Sequence, residues 1–329
     1  MFTYSSNEPF VFELFSITTT GKLDIRAIDP NCPSWTTLKD SDQSSRTLTV
    51  DAAFAACITE GDELLVAGDE MRNRGHVRYT VASIAGEEVT LQEPIEKVYA
   101  TESGPGEPMF ATEVALLSRR VTFEGTEETE NIGAHSIVFH TPYVVQTIQG
   151  VAFRGFGQGG KLGRYPIHFH KSGDTHSLVS KNVIRDGHQR CVFIHDTNFV
   201  TIEDNVAYGN PGHCYATETG SEHDNFFMNN LAVDSKSLNV PGNGASDDPS
   251  KLNESAVFWI RNMMNTFVGN RAAGCAHVGF WLEMGNKQGT QLHEDSFLDN
   301  VAHGCYFGMK TYKHGWYVRN NNPFFDCVE

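Results

Sequence analysis

The sequence lacks the markers of several common protein classes. It contains no apolar run of about 18 residues, the length that a membrane-spanning helix needs. The seven cysteines are an odd number without a CxxC pair, so the sequence predicts neither a zinc ribbon nor a disulfide scaffold, and we expect isolated cysteines. P-loop, dinucleotide-binding, GxSxG and HExxH motifs are also absent, which disfavours phosphoryl transfer and oxidoreductase chemistry.

Positive charge is scarce overall but not everywhere. The formal charge of −16 argues against binding of nucleic acid or of an anionic membrane through a broad positively charged surface. Residues 151–200, however, contain seven basic residues against three acidic ones, a net of +4. Nine of the 14 histidines lie between His135 and His223. This stretch suits a polyanionic ligand, and an ordinary solvated face is the equally open alternative.

Short strand-like segments recur through the second half of the chain. They begin at Ile167, Val192, Tyr215, Phe258, Phe280 and Tyr306, which are 25, 23, 43, 22 and 26 residues apart. Between them an asparagine precedes an apolar residue at 182, 205, 230 and 300, as expected at a tight corner. The first and third residues of the segments are mostly apolar and should point inward, and the second and fourth should point outward. This pattern predicts an all-β chain folded as a right-handed parallel β-helix.

The sequence predicts two regions. Short alternating strands between Thr49 and Ile95 indicate a small β-rich cap, which we assign to residues 1–112. Residues 113–329 are assigned to the β-helix, with a loop rich in Pro, Gly, Asn, Ser and Asp inserted at about 236–255. Because repeat-like sequence continues almost to Glu329 without a polar cap, we expect the natural protein to extend beyond it.

Four histidines and one glutamate are expected to converge on the outer face. His168 and His170 share one face of a strand. Equivalent positions in successive coils are occupied by His170, His195 and Glu218. His213 begins the strand that contains Glu218. Coils lie about 4.8 Å apart and same-face neighbours about 7 Å apart, so these side chains can meet. The four histidines are candidate ligands of a divalent transition metal ion of unknown identity. His168, His170, His195 and Glu218 are equally candidates for acid–base catalysis, and a purely structural cluster stays open.

Four further residues are candidates for binding an acidic sugar chain. Arg164 and Arg190 precede two of the strands and can hold carboxylates bidentately, or else form surface salt bridges. Trp259 and Trp281 are expected to point outward in the His168 column and to offer a platform for sugar rings, unless the inserted loop covers them.

Cysteines and aspartates near the same strands are assigned structural roles. Cys191 and Cys214 directly precede two strands and are expected to behave as small buried hydrophobic residues. Asp174 and Asp196 follow His170 and His195 closely, and we expect them to be turn residues rather than catalytic partners.

The central motif resembles that of a known family. Residues 163–174, GRYPIHFHKSGD, resemble the YPIHFHxxGD signature of the cell-migration-inducing hyaluronidase and transmembrane protein 2 family. The similarity continues in order through Arg190-Cys191-Val192 with His195, Gly212-His213-Cys214 with Glu218, and the Phe-Trp pairs at 258–259 and 280–281. Upstream, residues 60–67 and 113–119 look like the end of that family's G8 domain and the segment after it. The resemblance covers roughly Thr49 to Lys310.

The resemblance implies a function and a location. It implies an extracellular or cell-surface protein with a G8-like N-terminal region, whose β-helix degrades or binds hyaluronan or another uronic-acid glycan. The family also includes fibrocystin-like proteins in which no enzymatic activity is established. We therefore favour a hyaluronidase-like glycan-processing enzyme that acts on an acidic polysaccharide along the outer face.

The type of chemistry stays open in the sequence. A common glycosidase needs two carboxylates at the bond, and the sequence offers one evident candidate, so hydrolysis and elimination are both retained. The alternatives are a non-catalytic glycan-binding or adhesive β-helix and a purely structural module. We expect neither a nucleic acid partner nor direct membrane insertion for this segment.

Overall fold

The protein is described by a computed structural model that covers residues 10–27, 31–68, 75–102, 111–126, 131–238, 255–283 and 296–311. These residues are almost entirely β-structure, with one short helix, α1, at Ala52–Ala55. Among them, no helix has the length and apolar character required to cross a membrane.

The strands are numbered in chain order. They are β1 Phe10–Leu14, β2 Ser16–Thr19, β3 Asp24–Arg26, β4 Trp35–Thr37, β5 Asp40–Asp42, β6 Thr47–Thr49, β7 Glu63–Val66, β8 Val77–Ala85, β9 Glu88–Leu91, β10 Glu113–Leu116, β11 Val121–Gly125, β12 His135–Phe139, β13 Thr147–Gln149, β14 Ala152–Arg154, β15 Ile167–Asp174, β16 Leu178–Ser180, β17 Val183–Arg185, β18 Val192–Asn198, β19 Thr201–Glu203, β20 Val206–Tyr208, β21 Tyr215–Thr217, β22 Phe226–Met228, β23 Leu231–Ser235, β24 Ala256–Ile260, β25 Thr266–Val268, β26 Arg271–Leu282, β27 Phe297–Leu298 and β28 Val301–Thr311.

Most of these strands stack in parallel as the coils of a β-helix with three columns. Column A contains β3, β13, β16, β19, β22, β25 and β27. Column B contains β1, β11, β14, β17, β20, β23 and the first parts of β26 and β28, and column C contains β2, β12, β15, β18, β21, β24 and the second parts of β26 and β28. The fold is the predicted right-handed parallel β-helix, the hand that parallel crossover connections favour.

The predicted register of column C is confirmed over five coils. Ile167, Val192, Tyr215, Phe258 and Phe280 lie opposite one another in order. The prediction for the last coil is wrong, because Phe280 pairs with Met309 rather than with Tyr306. There β26 and β28 run from column B into column C as continuous strands with a bulge, so the turn signals that mark the earlier corners are missing.

A ladder of buried asparagine amides lines one corner of the coils, as the Asn-apolar pairs predicted. The side-chain Nδ2 of Asn182, Asn205, Asn230 and Asn270 each donates to the Oδ1 of the next asparagine, ending at Asn300, over 2.9–3.0 Å. Each also donates to a backbone carbonyl of the coil, which satisfies the buried amide. Asn270 does not match the pattern of asparagine followed by an apolar residue, because the charged residue Arg271 follows it.

A separate β-unit lies between the first and second coils. Strands β4 to β10 form an antiparallel sheet in the order β4-β10-β7-β8-β9-β6-β5 around their own apolar core. The observed boundaries differ from the predicted 1–112 and 113–329. Strands β1 to β3 pair with β11 to β13 and form the first coil of the β-helix, whereas β10 belongs to the small unit. The predicted inserted loop lies mostly outside the described residues.

Disulfides correct the expectation of isolated cysteines. Cys32 pairs with Cys57 within 31–68, while Cys191–Cys214 and Cys275–Cys305 each join two neighbouring coils. The last two pairs are separated by 23 and 30 residues, about one coil each. Equivalent positions in adjacent coils lie about 4.8 Å apart, a distance that a disulfide spans.

Candidate functional site

Three histidines meet on the outer face of column C. His168, His170 and His195 each offer one ring nitrogen within 4.8 Å of the other two. His170 lies opposite His195 in the pairing of β15 with β18, and their ring centroids are 4.6 Å apart. His168, two residues earlier on β15, lies 5.2 Å from His170 between ring centroids. We call these three residues the histidine cluster.

His168 is the buried member of the histidine cluster. Its Nδ1 lies 2.9 Å from the carbonyl oxygen of Gly163 and donates to it, since a carbonyl only accepts. The Nε2 lone pair therefore points away from that contact, and this atom is buried without a hydrogen-bond partner among the described residues. Burial lowers the pKa of His168 to about 3, so the ring stays neutral and can bind a cation.

His195 is held by a carboxylate on one ring nitrogen. Its Nδ1 lies 3.1 Å from Oε2 of Glu218, and this hydrogen bond raises the pKa of His195 above its usual value. Burial alone would raise the pKa of Glu218, but the hydrogen bond and charge of His195 outweigh it and lower that pKa. Glu218 occupies the next coil, where its backbone N–H donates to Ile194.

A second carboxylate lies at the other ring nitrogen of His195. Oδ2 of Asp196 is 3.5 Å from His195 Nε2, and the hydroxyls of Thr219 and Ser221 donate to Oδ1 of Asp196. Asp196 has a φ of 43°, so it is a turn residue as predicted. The carboxylate of Asp196 nevertheless lies in the site, which the sequence alone does not predict.

His170 lies between His195 and an aromatic ring. Phe139 is the preceding residue of the same column, and its ring stacks on His170 with 5.0 Å between centroids and 23° between planes. Burial, and then the neighbouring His195, lower the pKa of His170. The sequence offered a signal for Phe139, because it lies one coil before His170 on the outward face, but an apolar residue there was not assigned to the site.

Arg190 does not lie on the surface, which corrects its predicted role as a carboxylate clamp. It is 1% exposed, donates to the hydroxyl of Tyr165 over 2.9 Å, and has its guanidinium 4.2 Å from the ring centroid of Phe193. Tyr165 in turn contacts His168, with 4.9 Å between ring centroids. After His195, the charge of Arg190 also lowers the pKa of Glu218.

Trp259 and Trp281 are also buried, so the predicted exposed platform is wrong. Each is 1% exposed within an outer apolar cluster that also contains Tyr165, Phe193, Ala216, Ala256 and Val278. Both point outward from the strand as predicted, but the outer surface of these coils is itself covered. Trp259 donates from Nε1 to Glu283 over 2.8 Å.

His213 lies apart from the histidine cluster. Its Nδ1 accepts the backbone N–H of Ala256 over 3.0 Å, and its ring stacks on Trp259 with 4.5 Å between centroids. Burial holds the pKa of His213 well below its usual value. The structure thus places this predicted metal ligand against the outer apolar cluster. Within the described ranges, the group of possible ligand atoms contains only the other three histidines.

The basic stretch of residues 151–200 divides into paired and exposed side chains. Arg154, Lys181 and Arg185 pair with Glu124, Asp204 and Glu63. Lys161, Arg164 and Lys171 are exposed and lie beside the histidine cluster in the chain. Arg164 contacts Nε2 of His135 and is the one predicted arginine that remains at the surface.

Comparisons with known proteins agree with this architecture. Residues 131–313 match the model of the CEMIP beta-helix family. The chain is 31% identical over 255 residues to protein rliB of Dictyostelium discoideum, covering 72% of this chain and 22% of that protein. It is 32% identical over 281 residues to a G8 domain-containing protein of the same organism, covering 77% of this chain and 18% of the relative.

More distant similarities extend over most of the chain. Human fibrocystin-L is 27% identical over 349 residues, covering 90% of this chain and 8% of that protein. The chain aligns over 93% of its length with the tailspike of Acinetobacter baumannii bacteriophage AP22, at 10% identity, with a TM-score of 0.24 and over 65% of that chain. The chain spans about a fifth or less of the length of these curated relatives. The family-model match covers more than half of the chain, which therefore belongs to the CEMIP beta-helix family.

Proposed function

We propose that this chain is a glycan-processing module that acts on an acidic polysaccharide along the outer face of column C. In this proposal the histidine cluster of His168, His170 and His195 holds a divalent transition metal ion. The observation that supports it most directly is the convergence of three imidazole nitrogens within 4.8 Å on one outer face.

The donor set fits such an ion. Histidines that bind metals usually donate their other ring N–H to a carbonyl or a carboxylate, as His168 does to Gly163 and His195 does to Glu218. Three nitrogen donors suit zinc, copper, nickel or iron, whereas calcium prefers six or more oxygens. Three protein ligands also leave a coordination position open, as in catalytic zinc sites.

The residues of the site then have distinct tasks. A bound ion supplies Lewis acidity that polarises an oxygen of the substrate. Glu218 fixes the orientation of His195, and Phe139 limits the rotation of His170 by covering one face of its ring. We assign Asp196, the second carboxylate beside His195, together with Glu218 to the carboxylate pair that glycoside hydrolysis would use.

The surroundings favour an anionic substrate. Lys161, Arg164 and Lys171 are exposed beside the site on a protein that is otherwise strongly acidic, and they can attract sugar carboxylates. Disulfides such as Cys191–Cys214 form and persist in oxidising compartments, which supports an extracellular or cell-surface location. Hyaluronan is the first polymer to test, because the family resemblance points to it.

Metal analysis combined with a depolymerisation assay tests the proposal. Purified protein should contain about one transition metal ion per chain, and His168→Gln should lose it while keeping its fold by circular dichroism. Hyaluronan incubated with the protein should shorten, and chelation should stop the shortening. Metal below stoichiometric amounts, with stability unaltered by chelation, would remove the metal site from the proposal.

The same assay separates catalysis from binding. Shortening that persists after chelation would assign the chemistry to His195, Glu218 and Asp196 without an ion. Retention of hyaluronan with no shortening would reject the enzyme and leave a glycan-binding β-helix. The double bond that elimination creates absorbs in the ultraviolet, so its absorbance distinguishes a lyase from a hydrolase.

A further inference from the structure

A row of aromatic and imidazole rings lies at the corner where column C turns into column A. The ring of His176 stacks on Phe199 of the next coil with 4.7 Å between centroids and 25° between planes. Phe199 meets His223 of the following coil edge to face, with 5.8 Å between centroids. His176 is exposed, and Phe199 and His223 are partly exposed. We call these three residues the corner rings.

The backbone at this corner makes large rings costly. His176 and Phe199 have φ angles of 49° and 60°, and Asp224 has 53° at the equivalent position of the next coil. Each of the three lies two residues before a column A residue in the paired set Leu178, Thr201 and Phe226. Asp, Asn, His and Gly tolerate the left-handed region, whereas the bulky apolar side chain of Phe199 is a conformational outlier there. The turn itself would be served better by a small polar residue at position 199, so the phenyl ring and its stacking on His176 need another explanation.

The corner rings continue the surface of the proposed site. Phe199 lies four residues after His195 along β18 and its end, a span of up to about 13 Å. His176 lies six residues after His170 in the neighbouring coil. A glycan that binds at the histidine cluster and runs along the strand direction would therefore reach the rings only if it contained several sugar units.

The polar groups around the rings define the type of sugar. Asp174 accepts a hydrogen bond from Asn198 over 2.9 Å, and Asp224 lies 2.7 Å from Nδ1 of His223. Two carboxylates at this corner disfavour an anionic sugar, but their oxygens can accept hydrogen bonds from sugar hydroxyls. Aromatic rings with nearby polar groups provide an apolar contact surface and directional partners together.

We propose that the corner rings form a subsite for an uncharged sugar of the glycan whose acidic part lies at the histidine cluster. This inference rests on the proposed function, which supplies the glycan. It assigns a task to His176 and Phe199 that neither the turn nor the metal site requires. It also implies that the protein distinguishes long glycans from short ones.

Asparagine substitutions provide a test that spares the fold. His176→Asn and Phe199→Asn remove the rings and suit the left-handed backbone, so thermal stability should stay unchanged or rise. Dissociation constants are measured by calorimetry for a hyaluronan disaccharide, which is too short to reach from the histidine cluster to the rings, and for a decasaccharide. The wild type should bind the decasaccharide more tightly, and the double variant should bind it roughly tenfold more weakly, with little change for the disaccharide.

A control and a metal measurement complete the test. Tyr306→Ala removes another exposed aromatic ring, four coils away on β28, and should change neither constant. Metal content should be the same in all variants. Equal affinity of the wild type for the two oligosaccharides, or a double variant that keeps the preference, overturns the subsite and leaves the proposed function standing. Absence of binding to either oligosaccharide by the wild type overturns both proposals.

Discussion

Glu218 lies one coil beyond His195 and accepts a hydrogen bond from it, with 3.1 Å between Oε2 and Nδ1. The contact arises from register, because residues at equivalent positions of neighbouring coils approach within about 5 Å. Arg190 lies on the buried side and contributes to keeping Glu218 ionised. The carboxylate therefore stays available to orient the imidazole, and the opposite ring nitrogen is left for Asp196 or a ligand.

Glu218→Gln should weaken the histidine cluster while keeping its shape. The amide oxygen can still accept the hydrogen bond, but the negative charge that stabilises protonated His195 is lost. In chelated protein, the pKa of His195 followed by NMR should be above 6.5 in the wild type and lower in the variant. Metal affinity should fall by about 10- to 100-fold, the usual effect of losing an orienting carboxylate.

Asp224→Asn is the matched control for this variant. Asp224 pairs with His223 at 2.7 Å and lies outside the histidine cluster. The control should leave both the pKa of His195 and the metal affinity unchanged. An unchanged pKa of His195 in Glu218→Gln would show that the pair does not set its protonation.

Acid should destabilise the fold through buried histidines outside the cluster, among them His76 and His135. Burial lowers the pKa of His76 and of His135 to about 4, from an ordinary 6.5. Between pH 6.5 and pH 4 these histidines are protonated in the unfolded chain but remain neutral in the folded chain. The free energy of unfolding therefore falls as the pH falls from about 6.5 to about 4. The loss should not exceed about 1.4 kcal/mol per pH unit for each group.

Urea unfolding of metal-free protein at several pH values measures this slope. His135→Gln should make the slope shallower, because the glutamine cannot take up a proton in either state. A slope that is the same in the variant and the wild type would exclude His135 as a source of the acid sensitivity.

The sequence was sufficient to predict the β-helix and the contacts between equivalent residues. Period and alternation place His170, His195 and Glu218 in one column, and the asparagine corners fix where each coil turns. Alternation states which side of a strand a residue faces, but not whether something covers that side. The sequence therefore leaves open whether Trp259 forms an exposed platform or is covered, and the structure shows that the outer apolar cluster buries it.

The disulfide pairing, the register of the last coil and the first three strands depend on spatial distances that cannot be read from sequence spacing. Cys191 and Cys214 directly precede strands that begin 23 residues apart, but their pairing becomes evident only when one coil step is compared with the length of a disulfide. The final register failed because β26 and β28 pass the corner without a turn residue. The sequence does not predict strands β1 to β3, because each is only three to five residues long and lies far in sequence from its partners.

Breaking the asparagine ladder should destabilise the β-helix strongly. Asn230 is fully buried, donates to Ile202 and Asn270, and accepts from Asn205. Asn230→Ala leaves these neighbours unsatisfied, at about 1–3 kcal/mol for each buried group. Thermal or urea unfolding should show that the free energy of unfolding falls by about 3 kcal/mol or more.

The control variant is Asn131→Gly. Asn131 is exposed with a φ of 66°, a conformation that glycine adopts readily. The free energy of unfolding of this variant should change by no more than about 0.5 kcal/mol.

The disulfide between coils should stabilise the region of the site. Cys191 directly follows Arg190, and Cys214 directly follows His213, so the Cys191–Cys214 bond ties together two coils next to the histidine cluster. Replacing both residues by serine should lower the free energy of unfolding by about 3 kcal/mol, because the bond closes a loop of 23 residues. Mass spectrometry of alkylated, unreduced protein checks the bond. Alkylation of Cys191 in the folded wild type would contradict it.

The exposed cations beside the histidine cluster should govern the affinity for an acidic glycan. Arg164→Gln and Lys171→Asn each remove one positive charge, and asparagine suits the φ of 53° at position 171. Because these charges are exposed, their attraction to sugar carboxylates is screened by salt, with a screening length of about 10 Å at 0.1 M. The double variant should bind hyaluronan several-fold more weakly at low salt and lose much of the salt dependence that the wild type displays.

Arg154→Gln provides the matched control for these charges. Arg154 belongs to the same basic stretch and is half-exposed, but it lies in column B and pairs with Glu124. Its loss should change neither the affinity nor the salt dependence. Equal weakening by Arg154→Gln would mean that net charge, rather than the position of Arg164 and Lys171, controls binding. In that case the acidic part of the glycan would have to be placed elsewhere on the β-helix.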